Sequence, residues 1–197
     1  MKRIFSLFLV LAALTAALLV FPACGDKPDT STHRVAIEVQ DFGTIELELY
    51  PTKAPITVAN FEKLVKEGFY DGLTFHRIGK NFMIQGGDPN GDGSGGSDKT
   101  IKGEFSQNGF TRNDIKHERG VISMARSRSN DSASSQFFIM HGDAPYLDGS
   151  YAAFGRVTSG MDVVDAIANV KLKNIGSDGT GTPAKPVVIT RMYMIED

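Results

Sequence analysis

The stretch from Phe75 to Asp88 reads FHRIGKNFMIQGGD, and it sets Arg77 and Gln85 among Phe75, Ile78, Phe82, Met83 and Ile84. A guanidinium stays protonated, so it cannot serve as a general base. It offers instead several N–H donors in a rigid planar fork. An arginine and a glutamine beside phenylalanine and methionine suit the holding of an amide next to an apolar ring. They do not suit bond breaking by nucleophilic attack. The competing reading makes Phe82, Phe138 and Leu147 core residues, Met83 a gap filler and Gln85 an edge-strand polar residue. In that reading Arg77 forms a surface ion pair with Glu104 or Asp88, an interaction worth little.

Other chemistries are incomplete. Asp88, Asn90, Asp92 and Gly93 match the first half of a calcium-binding EF-hand loop, but Lys99 stands where the bidentate glutamate is required. Gly91 and Gly96 have the spacing of a phosphate-binding loop, yet Ser97 replaces its lysine. The run GGDPNGDGSGGSDKT therefore reads as a mobile surface loop that uses glycine for unusual backbone angles. The serines of SRSNDSASS lack a G-x-S-x-G elbow, so no hydrolase follows from them. His33, His76, His117 and His141 have no metal-ligand spacing, and each reads singly as a surface or strand histidine. One cysteine permits neither an intramolecular disulfide nor a cysteine metal cluster. A net charge of −2, with only Arg126 and Arg128 beside that serine loop, makes no case for nucleic acid.

Elements that could position Arg77 follow from periodicity. RVAIEVQDFGTIELELYP alternates apolar and polar residues around Asp-Phe-Gly, which predicts a β-hairpin. Val58, Phe61, Leu64 and Val65 recur at helical spacing, predicting a helix over 57–67 with Thr57 as its cap and Gly68 after its charged last turn. GMDVVDAIANV predicts a second helix, with Val163, Val164 and Ile167 on one face. GVISMAR, SQFFIMH, AAFGRV and PVVITRMYMIE read as short strands between turn signals. The chain is thus mainly β, and many short strands with two helices predict a closed antiparallel barrel with helices over its openings. A length of 197 residues suits one domain, here 34–197.

The N-terminus is different material. Lys2 and Arg3 precede an apolar run from Ile4 to Phe21, the pattern of a secretory signal over residues 1–23, with an uncleaved anchor helix as the competitor. Ala23 precedes the only cysteine, Cys24, and the combination resembles a bacterial lipoprotein signal in which Cys24 becomes the lipidated first residue. Phe21 and Pro22 depart from the usual form of that signal. Residues 24–33 read as a flexible tether. The expected location is thus outside the cytoplasm, lipid-anchored at the cell membrane.

FHRIGKNFMIQGGD, GVISMAR and SQFFIMHGDAPYLDGSYAAFGRV together resemble the cyclophilin family of peptidyl-prolyl cis-trans isomerases, over residues 34–197. The resemblance implies an eight-stranded antiparallel barrel capped by two helices, and a groove for Xaa-Pro peptides. Arg77 then falls on the family's catalytic arginine, with Phe82 and Gln85 beside it in catalysis. Met83, Ala125, Arg126, Gln136, Phe138, Tyr146, Leu147 and Tyr151 fall on peptide-binding positions. No metal, cofactor or covalent intermediate is implied. Tyr146 stands where many members carry tryptophan, Tyr151 where many carry histidine and Arg126 where asparagine is common, and the serine loop is one residue longer. Both tyrosines keep an aromatic body and a polar tip, so isomerase activity is expected to survive. The resemblance does not carry cyclosporin recognition over to this chain in either sense, because in the family it draws on that tryptophan. The expected partners are proline-containing unfolded or exported polypeptides, bound by a monomer. The alternative is a chaperone module that holds proline segments with little turnover.

Overall fold

The computed structural model describes residues 33–196. The expected signal segment, Cys24 and the tether up to residue 32 lie outside the described residues. The tether's last residue, His33, brings its Nδ1 to 2.6 Å from Glu62 Oε1.

The expected hairpin forms from β1 (Arg34–Val39) and β2 (Gly43–Leu49). Val35 faces Leu47 and Ile37 faces Ile45, and all four are fully buried. A period-two pattern gives this outcome, because alternate side chains of a strand share one face. The turn needs left-handed backbone at Asp41 (φ 65°) and Gly43 (φ 123°).

Strands β3 (Arg77–Gly79), β4 (Met83–Gly86), β5 (Val121–Met124), β6 (Phe137–Met140), β7 (Ala153–Ser159) and β10 (Ile189–Met194) join that hairpin. The order is β10-β1-β2-β7-β5-β6-β4-β3, antiparallel throughout. The closed barrel expected from the sequence is not formed, and the sheet is an open half-barrel. No ladder joins its end strands β3 and β10; an isolated bridge from Thr74 to Val188 spans the gap. The physical reason lies in β3, which is three residues long. Its outer edge is satisfied by Gly181 instead, through Ile78 N–H to Gly181 O at 2.9 Å and Gly181 N–H to Ile78 O at 2.8 Å. Gly181 closes a loop carried by a separate ribbon, β8 (Leu172–Lys173) with β9 (Thr182–Pro183).

Two helices cover the sheet, as expected. Helix α1 (Pro55–Lys66) buries Val58, Phe61, Leu64 and Val65, and Phe61 packs its ring 5.0 Å from Phe154 and 5.6 Å from Phe137. It starts at Pro55, two residues before the predicted start, and Thr57 is not its cap. The buried carboxylate of Glu104 takes that role, accepting from the N–H groups of Ile56 (3.0 Å) and Thr57 (2.8 Å) and from the Thr57 hydroxyl (2.7 Å). An anion at a helix N-terminus meets unsatisfied donors and the positive end of the helix dipole. Helix α2 (Met161–Ala168) buries Val163, Val164 and Ile167.

Both faces of the sheet are apolar near β3–β6. Ile78, Ile84, Ile139 and Ile122 form one cross-strand row in the main core. One residue along, side chains point to the opposite face. There Met83, Phe138, Met140, Val121, Ala144 and Ala153 make a second buried cluster. Phe82, Ala125, Leu147 and Tyr151 pack against it, half-buried.

Candidate active site

Register places Arg77 opposite Gln85, Gln85 opposite Phe138, and Phe138 opposite Ser123, one row across β3, β4, β6 and β5. This row lies on the face of the second cluster. A slot of about 120 Å³ opens there, in which the side chains of Phe82, Met83, Ala125, Phe138, Leu147 and Tyr151 meet the polar ones of Arg77, Gln85 and Arg126. Nine of the sequence-derived site residues thus line one cavity. Gln136 lines the adjoining, more polar hollow of about 360 Å³, which shares Gln85, Ala125 and Arg126 with the slot. Tyr146 does not line the slot; it is 70% exposed at the rim, its ring 6.1 Å from that of Phe82.

The Arg77 guanidinium is held at three points. Its Nε–H donates to Thr180 Oγ1 (3.0 Å), Nη1 to Gln85 Oε1 (3.0 Å) and Nη2 to Asp178 Oδ2 (2.8 Å). The ion pair with Glu104 or Asp88 is therefore not the one formed. Glu104 caps α1, and buried Asp88 accepts the N–H groups of Asn90 (2.9 Å), Asp92 (3.1 Å) and Gly93. Asp88 thereby ties down a loop the sequence presents as mobile. Gln85 passes the order on, as its Nε2 donates to Gln136 Oε1 (2.9 Å) while Gln136 Nε2 donates to Gly95 O (2.7 Å). Arg126 donates through Nε to Ser150 O (2.9 Å) and lies over the rings of Tyr151 (4.8 Å) and Phe105 (5.2 Å). Its charge serves as a stacked wall of the slot.

The electrostatics follow from these contacts. Asp178 is held at about 2 by the Thr180 N–H first, then by Arg77 and the Thr180 hydroxyl. Burial lowers His117 against the opposing pull of Asp148. His117 Nδ1 lies 3.1 Å from Asp148 Oδ1 and its Nε2 3.0 Å from Ser123 Oγ. Sequence reading missed this serine–histidine–aspartate chain, because Asp148 reaches His117 from 31 residues away and the six-residue spacing of His117 and Ser123 matches no motif. It does not serve as a hydrolase: Ser123 is fully buried, behind a Phe138 ring stacked 6.0 Å from His117. A substrate carbonyl carbon could not reach its oxygen. The histidines expected at surface or strand positions are mostly interior, since His76, His117 and His141 are all buried. Asp178 and Thr180 were also missed. They lie 101 and 103 residues from Arg77 in a turn-rich segment without periodicity.

A slot that sets apolar side chains beside a fixed cation, without an accessible nucleophile among its lining residues, has the chemistry to hold a small apolar ring and to donate a hydrogen bond to an amide next to it. The sequence matches the family described as "Cyclophilin type peptidyl-prolyl cis-trans isomerase/CLD" over residues 34–194. It is 50% identical over 131 residues to peptidyl-prolyl cis-trans isomerase B of Bacillus subtilis, covering 66% of this chain and 87% of the relative. It is 38% identical over 201 residues to peptidyl-prolyl cis-trans isomerase A of Dickeya dadantii, covering 99% and 98%. The fold is similar to a cyclophilin-type isomerase of Cryptosporidium parvum solved in the presence of the dipeptide Ala-Pro, with TM-score 0.73 and 28% identity over 83% of this chain and 99% of that one. The chain belongs to the cyclophilin-type peptidyl-prolyl cis-trans isomerase family, whose enzymes catalyse rotation about the peptide bond before proline.

Proposed function

We propose that this chain accelerates cis–trans rotation of Xaa-Pro bonds in exported polypeptides, with Arg77 stabilising the twisted amide. Resonance gives the peptide C–N bond a rotational barrier of roughly 18–20 kcal/mol. The two Xaa-Pro isomers lie close in energy, so the obstacle is rate, with uncatalysed exchange taking about 10–100 s. At the top of the barrier conjugation is lost, and the proline nitrogen regains a lone pair. A donor that bonds this twisted state more strongly than the planar one lowers the barrier.

The observation that carries the reading is Arg77 held at the slot's edge beside Phe82 and Phe138. Of five guanidinium N–H donors, three are committed to Thr180, Gln85 and Asp178. The other two remain for substrate. Phe82, Met83, Phe138 and Leu147 grip the pyrrolidine ring while the preceding carbonyl swings. No bond of the substrate breaks.

The test is a protease-coupled or NMR-exchange assay of the purified domain on an Xaa-Pro peptide. Arg77→Ala is expected to lower kcat/KM by about 100-fold, as loss of one preorganised donor does elsewhere. Equal rates for the two proteins would remove Arg77 from the mechanism. Peptide binding without added exchange by the wild type would instead support a holding chaperone.

Export and anchoring rest on the first 33 residues of the sequence. Radioactive fatty-acid labelling is expected to mark the full chain through Cys24 and to vanish in Cys24→Ser. Label retained in that variant would sink the lipoprotein reading. The domain is proposed to act as a monomer on proline-containing segments emerging outside the cytoplasm.

A further inference from the structure

We infer that Asp178 and Thr180, on the loop over residues 174–181, are positioning residues that set the plane of the Arg77 guanidinium for the twisted amide. The inference rests on the isomerase reading of the site.

Arg77 by itself has little to hold it, with its side chain 40% exposed. An isolated surface ion pair with Asp178, 52% exposed, would not immobilise it. The pair is not isolated. Asp178 Oδ1 accepts from the backbone N–H (3.0 Å) and the hydroxyl (2.9 Å) of Thr180, which leaves Oδ2 facing Arg77 Nη2. The Thr180 hydroxyl spends its hydrogen on Asp178 and accepts from Arg77 Nε–H with its oxygen. Arg77, Asp178 and Thr180 thus close a ring of hydrogen bonds, and each partner's orientation is dictated by the other two.

The loop is itself anchored to the strand that bears Arg77. Gly181 and Ile78 exchange two backbone hydrogen bonds, and Gly176 N–H reaches Thr180 O at 2.8 Å. Gly179 supplies the left-handed turn (φ 74°) between Asp178 and Thr180. Gln85 fixes the third corner of the guanidinium from β4. Three acceptors from separate points of the chain define a plane; removing either loop acceptor leaves the fork free to rotate about its own side-chain bonds. Misplacement by about 1 Å can cost on the order of 100-fold in rate.

The experiment compares kcat and KM for wild type, Asp178→Ala, Thr180→Val and Thr180→Ser, and repeats Asp178→Ala in an Arg77→Lys background. Asp178→Ala and Thr180→Val are expected to lower kcat roughly tenfold with KM within about twofold, and Thr180→Ser to restore most of the loss. In the Arg77→Lys background Asp178→Ala should cost nothing further, because no fork remains to be aimed. The Arg77 Nε–H resonance in NMR is an independent readout. It should be slow to exchange in wild type and fast in Thr180→Val. An active wild type with unchanged kcat in both loop variants overturns the inference and leaves the isomerase reading standing. So does an equal loss in the Arg77→Lys background, or a fast-exchanging Nε–H in wild type. An inactive wild type overturns the isomerase reading, and the clamp's catalytic role with it.

Discussion

At the scale of single residues, the proposed mechanism depends on how many bonds one cation keeps in reserve. Arg77 spends three N–H donors on its own protein, and the bond to Gln85 is relayed through Gln136 to the glycine-rich loop. Gln85→Ala is therefore expected to loosen Arg77 and Gln136 together. The measured consequence should be a fall in kcat of roughly tenfold with little change in KM, read in the peptide assay. A change confined to KM would instead make Gln85 a substrate contact. Much of this site was legible in the sequence. The motif FHRIGKNFMIQGGD singles out Arg77 and Gln85, and the structure sets them in direct register on β3 and β4. The partners Asp178 and Thr180 were not legible, because the segment that carries them has no periodic signal and meets Arg77 only through the loop's docking on β3.

At the scale of elements, two local choices stand out. Helix α1 has Ala54 rather than a capping side chain at its N-terminus, and Glu104 supplies the acceptor from 47 and 48 residues away. Glu104→Ala would leave the N–H and hydroxyl of Thr57 unsatisfied in the interior and the part-buried N–H of Ile56 without its acceptor. A loss of about 2–4 kcal/mol is expected from urea unfolding. An unchanged midpoint would show that Thr57 caps after all. Gly87 marks the exit of the strand that carries Gln85. Its φ is 81°, and a Cβ there would lie 2.5 Å from Ser135 O and 3.0 Å from the Phe137 ring. Gly87→Ala is thus expected to destabilise by more than 1 kcal/mol, roughly, and to disturb the register that holds Gln85 opposite Phe138. The periodic elements, the hairpin and both helices, were readable because amphipathic spacing repeats within each. Strands β3 and β4 were not, since three- and four-residue runs are too short to display a period.

At the scale of the whole molecule, buried histidines set the response to acid. Burial lowers His76, His117 and His141 below the ordinary value of 6.5. The unfolded chain therefore takes up protons first as pH falls. Stability contributed by the neutral rings is fully present above 6.5 and is lost below it, down through their depressed folded values. His141 shows why: its Nδ1 accepts the Asn81 N–H at 2.9 Å, so a proton there would break that bond beside Phe82. A second decline is expected below the ordinary aspartate value of 3.8, where Asp178, Asp148 and Asp165 still bind fewer protons folded than unfolded. Melting temperature followed from about pH 8 to 3 should be level, then fall in two stages. A level curve between about pH 7.5 and 5.5 would refute the histidine stage. By itself, the sequence determined the family, the mainly β character, both helices and the residues that line the slot, because these are written as local periods and as three separated motifs. Tertiary structure alone decided that the sheet stays open, that Glu104 caps α1, and that Asp178 and Thr180 aim Arg77. Each of these depends on which distant backbone edge or charge arrives at an unsatisfied hydrogen bond, and no spacing along the chain encodes that meeting.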